Sequence, residues 1–564
     1  EEPPGGAWRN NVLMSADDLH RPSGGSPSWR EEDHILQSER LVTYRIPTSV
    51  DVDKVYMVDY PLIGLYKPDA RRDLLGALNE GTTLFYYVGH GAAVTLADEQ
   101  LFQITDIAGL NNGDRRFVFM AFSCDVGVYA DPSSQCMAED FLTATQGGGI
   151  ASVAASWVSL SSANDAFSGE LFGAYFPDHH VSAAATLGEA MIAGKVAMWP
   201  SNFWVPNARR YVMLGDPATR LPHAVDDLRL ANTSSDSLLT GRLHQLDIDL
   251  AQFDIAYGAN TTYELLVQES PVVREFVAFD DSVHTYRAVP QPVFRGTGVL
   301  DAPDTAIPFL APQSMRTGDD GRFRLIVEDG TGPARAAVLE VPVVQVESSA
   351  GGDVDGPAID LAFEGGGSRV QPGTPLVASL SDTNGINILA TNPANSVLLE
   401  FDRSGIYNNV SEDVVFEPGS YSRARLETSL PADLELGEHT VVMTASDMFG
   451  NVGADTLSFD LEAQGVAGMR NATVFPNPTA GPCRLVCDLS GPMTVQWDIY
   501  TVSGRRIRQL EDTFTSAGPA ILEWDGRDGE GDSIANGVYL YVLRGRLPGD
   551  DHELRETGQV VIMR

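Results

Sequence analysis

Lysine is nearly missing from this 564-residue chain: Lys54, Lys67 and Lys195 are the whole set, and arginine supplies the rest of the 38 basic residues. Set against 77 acidic residues, they leave a formal charge of −39, a field that repels polyanions and argues against nucleic acid as a partner. Acid-rich, lysine-poor surfaces suit a salty habitat or an acidic secreted protein, and neither specifies an activity. Cysteine is scarce too. Four in a chain this long make no disulfide framework, so each is read individually. No apolar run approaches the ~18 residues of a spanning helix. Glu1 opens an acidic, Pro/Gly-rich stretch without the basic and apolar regions of a signal peptide, and looks like a processed or cut end.

What is present is a globular mixture, 43% hydrophobic and 20% charged, long enough for about three to five domains of ~100–200 residues. Residues 7–222 alternate apolar runs with helical patterns. Strands are expected at Asn11–Ala16, Lys54–Val58, Thr83–Val88, Phe117–Phe122 and Gly149–Ala155, and helices at Arg71–Asn79, Gln135–Gln146 and Ala163–Phe176. Continuous apolar strands between helices predict an α/β domain around a parallel sheet. After Leu221-Pro222 the pattern becomes short alternating strands between turn clusters such as Gly318-Asp-Asp-Gly321 and Glu328-Asp-Gly-Thr-Gly332, which predicts all-β modules. A linker is expected at 347–353 and a polar break at 463–465, giving sandwich-like modules at 223–350, 351–463 and 464–564.

Two strand ends carry chemistry: Tyr86-Tyr-Val-Gly-His-Gly91 and Phe119-Met-Ala-Phe-Ser-Cys-Asp125. Reactive side chains of an open parallel sheet gather where the strands end and loops free them from the ladder. His90 and Cys124 are 34 residues apart, room for a strand, a crossover and an adjacent strand, so imidazole and sulfur can face one cleft. A thiolate would attack and the imidazole would protonate the departing amine. A cysteine after an apolar strand is more often simple packing. Here Asp125 and Gly127 follow at once, which is poor core composition, and Gly89 and Gly91 allow close backbone approach around His90.

Gly-His-Gly91, Ser-Cys-Asp125, Ala138-Glu-Asp-Phe-Leu142, Gly147-Gly-Gly-Ile-Ala151 and Tyr211-Val-Met-Leu-Gly-Asp-Pro-Ala218 together resemble the gingipain-type (C25) cysteine peptidases, over about residues 7–222. The resemblance implies a caspase-like catalytic domain, Cys124 as nucleophile, His90 as general acid/base, and the backbone NH groups of Gly91 and Cys124 as the oxyanion hole. It also calls for an acid near the end of the first strand. Asp18, in Ser15-Ala-Asp-Asp18, is the candidate, although the family usually has Glu near this point and Asp17 and Asp18 are equally suited to capping a turn. Ser156 and Trp157 stand where the fold would build the wall of its specificity pocket; a core or surface tryptophan is the plain alternative.

Cys136 at a helix start, and Cys483 and Cys487 flanking Leu485 in strand alternation, read as packing, and their ~13 Å separation bars the last two from a mutual disulfide. No His/Cys metal spacing occurs, and no cofactor or metal is expected. Asp525-Gly-Arg-Asp-Gly-Glu-Gly-Asp532 lacks calcium-loop spacing and reads as a hairpin turn.

Leu380-Ser-Asp-Thr-Asn-Gly-Ile-Asn387, Leu436-Gly-Glu-His-Thr440 and Ala445-Ser-Asp-Met-Phe-Gly-Asn451 resemble the β module that follows the peptidase domain in sortases of the type IX secretion system. Phe475-Pro-Asn-Pro478, Ile499 to Gly504 and Asn536 to Leu540 resemble type IX C-terminal sorting domains. These resemblances imply a sortase at the outer membrane or cell surface. It would cleave sorting domains from cargo through a Cys thioester, possess transpeptidase capacity, and partner with cargo sorting domains and other secretion components. Two alternatives stay open: a secreted gingipain-like protease that is itself cargo, and an inactive surface adhesin.

Overall fold

In the computed structural model, residues 7–563 are described apart from 19–32, 134, 182–185, 202–203, 233–234, 250–257, 259, 279–280, 301–303, 331–332, 347–353, 365, 390–395, 432–433, 463–468, 490, 515–517 and 547–552. The expected linker at 347–353 and the break at 463–465 lie outside the described residues.

The first 222 residues form a six-stranded sheet in the order Asp51–Tyr56, Asn11–Ala16, Leu84–Val88, Phe117–Phe122, Gly149–Ala155, Tyr211–Gly215. The first five strands are parallel. The sixth, which the sequence reading left unassigned, runs antiparallel beside Gly149–Ala155. Apolar side chains on both faces make these strands read as unbroken hydrophobic runs, and alternation along each strand divides them between two cores. Met14, Tyr86, Val88, Met120 and Phe122 join one, packed with the helices Ser161–Tyr175 and Leu187–Ala197. Leu13, Phe85, Tyr87, Phe117 and Phe119 join the other, under Pro68–Glu80 and Met137–Thr143. The result is the helix–sheet–helix layering that the sequence predicts.

Local boundaries shift for identifiable reasons. The helix expected to run to Gln146 stops at Thr143, because Ala144 is already extended and the Gly147-Gly-Gly149 turn follows. The second strand spans Asp51–Tyr56 and gives way to a 3₁₀ turn at Met57–Asp59, so Lys54–Val58 is only half strand. The helices Asp33–Tyr44 and Leu187–Ala197 add to the expected set.

The chain clusters into two units. The first comprises residues 1–362, 377–428 and 441–457, and includes the six-stranded sheet together with a nine-stranded sheet. That nine-stranded sheet takes strands from both 223–350 and 351–463, and Gly318-Asp-Asp-Gly321 lies inside its strand Gly318–Glu328 as a register irregularity rather than as a turn between strands. Arg324, 2% exposed, joins that sheet to the six-stranded sheet by pairing with Asp51 at 2.6 Å and Glu264 at 2.9 Å.

The second unit comprises residues 363–376, 429–440 and 458–564. Its three-stranded sheet (Met469–Phe475, Cys483–Leu489, Gly518–Trp524) and four-stranded sheet (Arg506–Phe514, Met493–Thr501, Gly537–Arg546, Glu553–Ile562) share one core. Trp497 from one and Trp524 from the other meet edge to face at 6.1 Å. Cys483, Leu485 and Cys487 point into this core, and neither cysteine is in a disulfide. Burial pushes the Cys483 thiol up to about 11.

Candidate active site

The strands Leu84–Val88 and Phe117–Phe122 are parallel neighbours in which Val88 sits opposite Phe122. His90 and Cys124 therefore each follow, by two residues, the ends of a matched pair. Strands ~4.8 Å apart bring the two loops out side by side at one edge of the sheet. Both residues are partly exposed, while the residues that carry them, Val88 and Phe122, are buried. The loops touch directly: a Cβ on Gly91 would lie 2.2 Å from Ser123 Oγ. Asp125 turns the chain just after Cys124 with φ of +56°, a left-handed conformation that aspartate tolerates better than most residues.

Cys124 is held from one side by Ser159. The Ser159 N–H donates to Sγ at 3.3 Å, and Ser159 Oγ donates to the Ser123 carbonyl at 2.9 Å. Behind Ser159 runs a buried amide relay. Asn164 Nδ2 donates to Ser159 Oγ at 2.9 Å, and Asn164 Oδ1 accepts from Asn207 Nδ2 at 2.9 Å and from the Tyr211 hydroxyl at 2.8 Å. Asn207 Oδ1 in turn accepts from the Leu160 N–H. Of these partners only Tyr211 was picked out from the sequence, as part of a motif and not for this role. A single Asn or Ser gives no local signal of such a role, because its partners come from other segments.

His90 is held by the first strand's exit. Its N–H donates to Asp17 Oδ2 at 2.9 Å, and its carbonyl accepts from the Tyr87 hydroxyl at 2.6 Å and from the Ala97 N–H at 2.9 Å. The His34 ring lies edge-on to the His90 ring, centroids 5.7 Å apart. Asp18 N–H donates to Asp17 Oδ1, and the Asp18 carboxylate pairs with Lys67. The two neighbouring aspartates thus have different partners: Asp17 fixes the backbone of the histidine loop, and Asp18 carries the ion pair. Burial holds the Asp17 carboxyl well above the usual range, and burial with the nearby Asp18 charge pushes Glu99 up to about 7.

Gly91 opens a two-residue strand paired with Thr95–Leu96. Ser156 is tied to the Arg210 carbonyl through both its N–H and its hydroxyl, and Trp157 beside it is 61% exposed. With exposed Val158 and Leu160 it forms an apolar rim on the segment whose Ser159 contacts Cys124. Cys136 caps a helix and is fully buried, and burial raises its thiol to about 11.

Residues 1–222 match the family model described as peptidase family C25. The match is confined to this part of the chain, the six-stranded sheet and its helices. No curated protein matches the chain. Among solved structures, dimeric latent PorU from Porphyromonas gingivalis is similar at 19% identity, covering 67% of this chain and 37% of that one, with a TM-score of 0.28. The Arg-specific cysteine proteinase gingipain R is similar at 15% identity over 60% and 68% of the two chains, TM-score 0.32. A tetra-tandem repeat of a large adhesion protein is similar at 15% identity over 63% and 77%, TM-score 0.16. The chain thus spans little more than a third of the PorU chain's length. Among the described residues, no helix is long and apolar enough to cross a membrane.

Proposed function

We propose that the C25 domain is a working endopeptidase with Cys124 as nucleophile and His90 as general acid/base. The observation that carries this is the matched exit of the two residues from adjacent parallel strands, with Ser159 bonded to the sulfur and Asp17 to the histidine loop. In this reading the thiolate adds to the scissile carbonyl and the Gly91 and Cys124 NH groups hold the oxyanion. The imidazolium gives its proton to the departing amine, leaving a thioester. Water, or a second amine in a transpeptidation, then resolves the thioester. Asp18 serves as the acid that polarises the histidine, and the Ser156–Trp157 wall takes the side chain before the scissile bond.

The proposed setting is the type IX secretion system, with the protein at the outer membrane or cell surface cleaving sorting domains from cargo. Support comes from the motifs after residue 350 and from the terminal two-sheet sandwich, built on the Phe475–Pro478 and Asn536–Leu540 segments that resemble sorting domains. The β modules at 223–350, 351–463 and 464–564 are proposed to hold a folded cargo domain while its linker enters the cleft.

Cys124→Ala should abolish cleavage and leave the fold intact, since the thiol sits at a loop edge rather than in the core. Full activity in that variant ends the peptidase reading. In cells, deleting the gene should leave type IX cargo uncleaved and poorly attached, and the Cys124→Ala protein should not rescue it. Normal cargo with loss of bulk extracellular proteolysis would instead identify a secreted gingipain-like enzyme. Loss of neither, with surface-ligand binding by the purified protein, would identify an adhesin.

A further inference from the structure

The helix Leu187–Ala197 is apolar on both faces. Leu187, Ala190, Met191 and Gly194 turn inward, the first three into the core beside the six-stranded sheet. On the other side Ile192 and Val196 are 65% and 64% exposed, and Trp199, 66% exposed, continues the stripe, its N–H still bonded to the Val196 carbonyl at 3.0 Å. Residues spaced by four and then three share one helix face. A surface helix ordinarily gives that face to charged side chains, and a helix apolar all round is one that meets a second surface.

The stripe leads to the edge of the sheet that carries Cys124. The Gly188 N–H bonds the Pro217 carbonyl, just past the end of strand Tyr211–Gly215, whereas Lys195 Nζ donates to the Tyr211 carbonyl at that strand's start, at 2.7 Å. The helix therefore runs back along the strand, and its last turn lies beside Tyr211. Tyr211 is opposite Ala155, where the strand next to the nucleophile strand ends. Trp204, 37% exposed, stands between that last turn and the helix Val205–Arg210. This second helix is tied to the segment beside the nucleophile: Arg210 donates to the Val158 carbonyl, and Asn207 accepts from the Leu160 N–H at 2.8 Å. The exposed Trp157, Val158 and Leu160 thus border the same edge as the two further tryptophans.

Charge on this face is opposite to that of the chain. Between Glu189 and Asp216 stand three basic residues, Lys195, Arg209 and Arg210, and no acid, although 77 of the 564 residues are acidic. The Arg209 guanidinium lies over the Trp199 ring, 5.8 Å from its centroid. Aromatic and aliphatic surface edged by guanidinium groups is the complement of a peptide carrying apolar side chains and acids.

We propose that this stripe is a docking track for protein substrate, taking an extended apolar and acidic stretch of it while the scissile bond lies at Cys124. The inference rests on the peptidase reading, because substrate is what that edge receives. The chain's net charge of −39 favours basic peptides, but charges more than about 8 Å away are largely screened at physiological salt, and the local set is positive. A preference for acidic peptide is therefore the mark of this surface and not of the net charge.

The test is fluorescence anisotropy with the Cys124→Ala full chain and labelled peptides in which leucine and phenylalanine alternate with aspartate, or with lysine. The aspartate peptide should bind saturably, about tenfold or more tighter than the lysine peptide. Trp199→Ala in the same chain should weaken it about tenfold, the loss of one aromatic anchor. Arg209→Glu should weaken the aspartate peptide and strengthen the lysine peptide, which a merely structural change would not do. Ile406→Ser, similarly exposed but in the β region, must leave binding unchanged. Binding needs no turnover, so casein left uncut by the wild type with selective binding intact would refute the peptidase reading and leave the surface standing. Equal binding of the two peptides, no effect of either Trp199→Ala or Arg209→Glu, or loss of binding in Ile406→Ser would each overturn the proposal. So would capture by phosphatidylglycerol vesicles without peptide binding, the behaviour of a lipid-facing surface.

Discussion

Asn164 joins the segment beside the nucleophile to the last strand of the sheet, and truncating it gives a sharp test of how Cys124 is held. Its side chain is 4% exposed and makes three hydrogen bonds of 2.8–2.9 Å, to Ser159, Asn207 and Tyr211. Asn164→Ala leaves the Asn207 amide and the Tyr211 hydroxyl, both buried, without that acceptor. Each stranded donor costs about 1–3 kcal/mol, so the variant should lose about 2–6 kcal/mol. Reorientation of the nearby Ser159 hydroxyl toward Tyr211 would bring the loss to the lower end. Because the chain is multidomain, a single unfolding free energy is ill defined, and the readout belongs to the region. Hydrogen exchange of segment 149–160 should accelerate, and Cys124 should react with iodoacetamide at a changed rate once Ser159 is released. A double variant with Ser159→Ala should cost less than the sum of the two single changes, as members of one network do. Exchange protection within about 0.5 kcal/mol of wild type, with unchanged alkylation, would refute the idea that this relay holds the nucleophile.

Three further outcomes are expected. Arg324→Ala strips one buried guanidinium from Asp51 and Glu264, leaving Asp51 with Arg322 at 3.2 Å, and hydrogen exchange of strand Gly318–Glu328 should report a local loss of up to about 3 kcal/mol. Gly91→Ala would place a methyl 2.2 Å from Ser123 Oγ; peptidase turnover should fall about a hundredfold, and Ser123→Ala in the same chain should recover much of it. His223, bonded to Thr83 Oγ1 at 2.7 Å, is driven down to about 3 by burial. The unfolded chain takes up this proton first, so its stabilising effect is whole above about pH 6.5 and drains away as pH falls toward 3. Between pH 6.5 and 5 the wild type should lose about 2 kcal/mol more than His223→Gln, and parallel losses would exclude His223 as the source.

The terminal turn was expected as a hairpin, but it links Gly518–Trp524 of the three-stranded sheet to Gly537–Arg546 of the four-stranded one, because each strand finds its partners elsewhere. Only its turn chemistry was local: Asp528 accepts from the N–H groups of Glu530 and Asp532, and Arg527 meets Ser533 in an isolated bridge.

What the sequence by itself determined was whatever rests on local pattern. Apolar runs marked the buried strands Asn11–Ala16, Phe117–Phe122 and Gly149–Ala155 to the residue, since a strand covered on both faces has to be apolar throughout. Glycine and serine at the ends of two such runs singled out His90 and Cys124, and period-two spacing placed Cys483, Leu485 and Cys487 on one buried face. Tertiary structure alone decided the rest. The register that matches Val88 with Phe122 depends on which strands become neighbours. The division of labour between Asp17 and Asp18 depends on Lys67, 49 residues away, and on His90, 73 residues beyond Asp17. Ser159, Asn164, Asn207 and Tyr211 form a relay, and Glu99 joins the acids, because folding brings distant segments together. A polar side chain acquires its role from the partner it meets when water is excluded, and sequence spacing carries no record of that meeting.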